Sequence, residues 1–116
     1  MKIEITIDYK NRKIPQGEKD LMWFNHMTDL VAIFDLDEFM FKSWNGKESF
    51  TGENKLFKLC ASQVKEGYMT IRCHLISEER RELFTETIRK CIERYNFYYP
   101  DKAKIISGYS AVKVAN

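Results

Sequence analysis

The opening residues Lys2–Asp8, KIEITID, constrain the fold more than any other stretch of this chain. Ile3, Ile5 and Ile7 fall on one face; Lys2, Glu4, Thr6 and Asp8 fall on the other. That period of two marks a strand with one dry and one wet side. Such a strand needs neighbours in a sheet and a layer of structure over its dry side. The segment YMTIRCHLI repeats the pattern, with Met69, Ile71, Cys73 and Leu75 facing one way and Tyr68, Thr70, Arg72 and His74 the other. Between them, YKNRK suggests a turn into a short hairpin ending near Ile14, where Pro15 stops the ladder.

The covering layer is written most clearly after Ser77, which suits an N-cap before Glu78 and Glu79 at the positive end of a helix. Leu83, Phe84, Ile88, Cys91, Ile92 and Tyr95 make the apolar stripe of this helix, and Pro100 ends it. Glu86 and Lys90 stand in the favourable i,i+4 order on its polar side. A second helix is expected from Glu18 to Thr28, with Leu21, Met22, Phe24 and Met27 on one face. LVAIFDLDEFMFKSW reads as a strand over Leu30–Leu36 followed by a short helix or turn, and WNGKESFTGEN as a loop. NKLFKLCASQVKEG reads as a helix with Leu56, Leu59, Cys60 and Val64 apolar and Gly67 as its stop. AKIISGYSAVKV supplies the last strand, broken or bulged at Gly108. The expected product is one α+β domain over residues 1–116. Its sheet, mixed or antiparallel, has about four strands and helices on one face. With the helix near residue 60 taken as an insertion, the order matches the ferredoxin-like plan.

Composition narrows the function classes. Of 116 residues, 44% are apolar and 31% charged, a globular balance large enough to bury a core without metal or disulfides. Cys60, Cys73 and Cys91 include no CxxC and read as reduced thiols. A net charge of +2 is too even to argue for nucleic acid by charge alone. Neither a signal core nor a run long enough to span a bilayer is written in the sequence, so a cytoplasmic protein is expected. Lysine, isoleucine, phenylalanine, tyrosine and asparagine usage suits an AT-rich bacterial or phage genome.

Catalytic signals are sparse. VAIFDLDEF resembles the nucleophile motif of haloacid dehalogenase-type phosphatases. The resemblance implies Asp35 as nucleophile and Asp37 as acid and base beside magnesium. It covers fewer than ten residues, and Glu38 and Phe39 stand where the family continues with a small residue and then Thr or Val. His26 and His74 lack metal-ligand spacing with the cysteines, and adjacent Cys73 and His74 on a strand point to opposite faces. No metal, cofactor or catalytic residue is therefore expected.

The expected function is binding without catalysis: docking on another macromolecule, in the manner of a phage- or mobile-element-encoded inhibitor of a host protein, with homodimer formation compatible. YNFYYP places four aromatics in six residues at the end of the strongest helix. Tyr95 and Tyr99 continue the stripe, whereas Phe97 and Tyr98 leave it; the helix is expected to unwind near Asn96, with Phe97 capping the end of the sheet and Tyr98 the most exposed of the four. Tyr98 and Tyr99, joined by Trp44 and Phe41, are the candidate protein-docking residues, because tyrosine and tryptophan dominate binding hot spots. The alternative is RNA or DNA on an exposed sheet face, with Tyr68, Arg72 and His74 touching bases and Lys102 and Lys104 touching phosphates.

Overall fold

The computed structural model describes residues 1–8, 27–44, 47–65 and 67–107. Six strands form one sheet: β1 (Lys2–Asp8), β2 (Glu38–Trp44), β3 (Lys47–Glu53), β4 (Phe57–Lys65), β5 (Tyr68–Leu75) and β6 (Ala103–Ser107). Their order is β2-β3-β4-β5-β1-β6, and every neighbouring pair is antiparallel. Helix α1 is described over residues 27–33, and helix α2 spans Arg81–Tyr98 after a 3₁₀ turn at Glu78–Arg80. The expected α+β class holds. The strand count does not, because three segments read as helix or turn, as loop and as helix are strands, while the strand expected over Leu30–Leu36 gives way to helix at residues 27–33.

The period-two segments behave as read. Ile3, Ile5 and Ile7 are fully buried against the helices, opposite Cys73, Ile71 and Met69 of β5. On α2, Phe84, Ile88, Cys91 and Tyr95 are buried, one per turn, over this dry face. Leu83 is half exposed and leaves the stripe. Ser77 does sit before the 3₁₀ turn, but its side chain makes no cap; its carbonyl accepts the Arg80 amide. The helix does not unwind near Asn96 but continues to Tyr98.

The middle of the chain reverses the expected assignments. Residues 27–33 are helix, since Met27, Leu30, Ile33 and Phe34 bury at helical spacing despite a β-branched, aromatic composition. Residues 38–44, read as helix or turn, form edge strand β2. Residues 57–65, read as the inserted helix, form β4, where buried Phe57, Leu59 and Ala61 alternate with Lys58, Cys60 and Ser62. Leu56, Leu59 and Cys60 imitate a helical stripe only because the turn residue Leu56 also packs on the core. The supposed loop contributes β3, whose Phe50 is fully buried; a Cβ at Gly52 would lie 2.5 Å from Leu36 Cδ1, so a larger residue there would displace the Leu36 side chain. Gly67, with φ 84°, turns β4 into β5 rather than stopping a helix. The expected hairpin through Ile14 and the helix residues before Met27 lie outside the described residues, as does Gly108.

Candidate functional site

Asp35 illustrates how local geometry assigns a role. The Leu36 amide donates to the Val31 carbonyl at 3.1 Å and the Asp35 amide to the Ala32 carbonyl at 3.3 Å, closing α1 with a Schellman motif. Asp35 occupies its left-handed position with φ 52°. The Arg94 guanidinium donates to the Ile33 carbonyl at 3.1 Å, satisfying another exposed carbonyl at the helix end. The Asn54 side chain donates to the Phe34 and Asp35 carbonyls and accepts from the Leu56 and Phe57 amides, tying the β3–β4 turn to the same place. Asp35 thus closes a helix rather than lying in the strand expected over Leu30–Leu36. A cavity of about 480 Å³ lies here, with Asp35, Asp37, Lys55, Arg80, Lys90 and Arg94 among its lining.

Two of the three cysteines are buried. Burial pushes the Cys91 thiol up to about 11; Asp35 adds to the rise and Arg94 opposes it. Burial raises Cys73 as well, with Cys91 contributing. Neither has the lowered pKa that marks a reactive nucleophile. Among the described residues, no three of His, Cys, Asp and Glu gather as metal ligands would. His26 lies outside the described residues.

The aromatic cluster divides in two. Tyr95 is buried, and its ring lies 5.0 Å from that of Tyr99. Tyr99 packs on the core and donates its hydroxyl to Asp29 at 2.9 Å, fastening α2 to α1. Phe97 and Tyr98 turn outward, 79% and 63% exposed, with rings edge to face at 5.2 Å. Tyr98 is exposed as expected but is not the most exposed; Phe97 is. Phe97 was missed because the helix was expected to unwind at Asn96, leaving Phe97 to cap the sheet. Asn96 instead stays helical and uses its side chain to hold β6: Oδ1 accepts the Lys102 and Ala103 amides, and Nδ2 donates to the Ala103 carbonyl.

Phe41 and Trp44 lie on β2 at one edge of the sheet. The last turn of α2 is tied to β6, at the other edge, through Asn96. Five inter-strand spacings of about 4.8 Å separate those edges, so the four candidate docking residues do not make one patch. Phe39 and Met40, which the sequence reading passed over, join Phe41 as exposed apolar residues on β2.

Tyr68, Arg72 and His74 do share the wet sheet face. Across the strands they oppose Asp8, Glu4 and Lys2, and Lys104 opposes Thr6 on the same face. Glu4 pairs with both Lys2, at 3.2 Å, and Arg72, at 3.7 Å, so this face neutralises part of its own charge. Lys102 is half-buried at the entrance to β6, where its backbone amide binds Asn96. Among the described residues, no helix is long and apolar enough to cross a membrane.

Comparison with known protein families, curated proteins and solved structures finds no match.

Proposed function

We propose that this chain is a binding protein without catalysis of its own, which docks on another protein through Phe97 and Tyr98. The observation that carries the reading is the edge-to-face pair itself, fixed on the last turn of α2 while its neighbours Tyr95 and Tyr99 serve the core. Two large rings held outward by a packed helix cost little conformational entropy on binding, the property that makes aromatics effective anchors. The surrounding charges favour a protein over nucleic acid: Glu93 and Arg94 precede the pair, Asp101 and Lys102 follow it, and no single sign dominates. Action by occupancy, covering a partner's working surface, is the inhibitor-type role a phage or mobile element would encode.

We read β6-β1-β5-β4 with α1 and α2 as a ferredoxin-like unit, and the β2–β3 hairpin as its insertion. The strand order and antiparallel pairing of these four strands support this reading, in which the inserted element is the hairpin and not the helix expected near residue 60.

The test is affinity capture from the native cell, with and without nuclease, using wild type, Phe97→Ser, Tyr98→Ala and Arg72→Ala. The expected result is a stoichiometric protein that survives nuclease, persists with Arg72→Ala, and is lost with the two aromatic variants. Capture that nuclease abolishes, or that fails with Arg72→Ala alone, would move the site to the wet sheet face and the partner to nucleic acid.

A further inference from the structure

The two edges of the sheet are treated differently. At β6, the amide and carbonyl of Ala103 are both bonded by the Asn96 side chain, so α2 caps the start of that edge. At β2, pairing exists on one side only among the described residues, with β3. The row of amides and carbonyls on its outer side is a template for another strand. Phe39, Met40 and Phe41 are 48%, 60% and 41% exposed on this same strand.

The sequence of the strand says which partner fits. Glu38-Phe39-Met40-Phe41-Lys42 is self-complementary about Met40. When two copies pair antiparallel around a two-fold axis at Met40, Glu38 of each copy faces Lys42 of the other, Phe39 faces Phe41, and Met40 faces itself. Residues of one parity then share one face, so the glutamates, lysines and methionines lie on the wet side. The phenylalanines lie on the helix side.

The charges around Glu38 point the same way. Within one copy, Glu38 lies directly opposite Glu53, an unfavourable cross-strand pair. Lys58 opposes Glu53 from its other side and relieves one of the two carboxylates. Lys42 opposes only Ser49. Pairing about Met40 brings the second copy's Lys42 against Glu38, completing a row of lysine, glutamate, glutamate and lysine across the junction.

We infer that β2 is a self-association edge, at which a second copy of this chain pairs antiparallel about Met40 to give a two-fold dimer with one continuous sheet. The helix layers of both copies lie on the same side, and four phenylalanine rings close the gap between them. This surface is separate from the Phe97–Tyr98 pair, and the dimer would present that pair twice.

Sedimentation velocity on the full chain, over a series from micromolar to millimolar, reads the equilibrium. Wild type is expected to pass from monomer to dimer. Glu38→Lys and Lys42→Glu each set like charges opposite one another at two places, and each should weaken association by at least about tenfold. The double variant Glu38→Lys/Lys42→Glu restores opposite charges and should restore the dimer. Equimolar mixing of the two single variants should give a mixed dimer, because one strand then offers only lysines and the other only glutamates. Glu38 and Lys42 are exposed, so the denaturant midpoint of each variant should stay at the wild-type value or close to it. A wild type that stays monomeric throughout overturns the inference. So does a dimer indifferent to both reversals, or a mixture of the single variants that does not associate.

Discussion

Replacing Asn96 by alanine removes three hydrogen bonds at one position: from the Lys102 amide at 3.1 Å, from the Ala103 amide at 2.8 Å, and to the Ala103 carbonyl at 3.0 Å. Ala103 is only 4% exposed, so water cannot readily replace the lost partner. Each bond contributes about 1 kcal/mol net, and a buried group left unpaired costs about 1–3 kcal/mol. Lys102 is half-buried and recovers part of its loss from solvent. The sum is a destabilisation of roughly 2–4 kcal/mol, or a fall in melting temperature on the order of 10 °C for a domain this size. Asn96→Asp keeps the acceptor but loses the donor to Ala103, so it should fall between alanine and wild type. Urea denaturation measures the midpoint, and native-state hydrogen exchange should show the Ala103 amide losing protection before those of β1. A loss of unfolding free energy below about 0.5 kcal/mol for Asn96→Ala would refute the claim that this side chain holds β6 in place.

Further outcomes follow from the same geometry. Ile88 is fully buried in the middle of the α2 stripe, so Ile88→Ala should cost about 2–4 kcal/mol in denaturant titration; an unchanged midpoint would mean α2 is not packed on the sheet. Asp35→Gly should raise the unfolding free energy in urea by up to about 1 kcal/mol, because glycine adopts the left-handed position at φ 52° without strain; a lower value would show that the Asp35 side chain stabilises the fold. Between pH 9.0 and about 11 the unfolded chain has shed the Cys91 proton while the folded chain still holds it, so stability falls as pH rises. The fall from Cys91 reaches roughly 2–3 kcal/mol at the upper end, and Cys91→Ala should make that part of the stability–pH curve shallower, leaving the contribution of Cys73; an unaltered slope would refute the assignment.

Much of the frame was legible because β1, β5 and α2 each bury one face only. Their alternation and their stripe are therefore printed in the residues themselves. The middle of the chain was not, because its signals come from contacts distant in sequence. Val31, Ile33 and Phe34 carry strand-forming side chains, yet the burial of Met27, Leu30 and Ile33 against the sheet selects a helix. β3 carries a single fully buried large residue, Phe50, and takes its form from pairing with β2 and β4 rather than from its own composition. For the candidate site, helical spacing separated Tyr95 and Tyr99 from Tyr98. Phe97 escaped because the helix end was placed too early. Phe39 and Met40 escaped because a segment read as helix or turn offered no reason to ask which residues lie on an open edge.

On the proposed reading, the exposed Phe97–Tyr98 pair and not the wet sheet face contacts the partner. Calorimetric titration of the captured partner with wild type and Tyr98→Ala, at low and moderate salt, tests it most directly. Tyr98→Ala is expected to weaken binding by roughly 1–3 kcal/mol with an unchanged melting temperature, and wild-type affinity is expected to change little with salt because contact area drives it. Unchanged affinity for Tyr98→Ala, together with an affinity that falls steeply as salt rises, would contradict it.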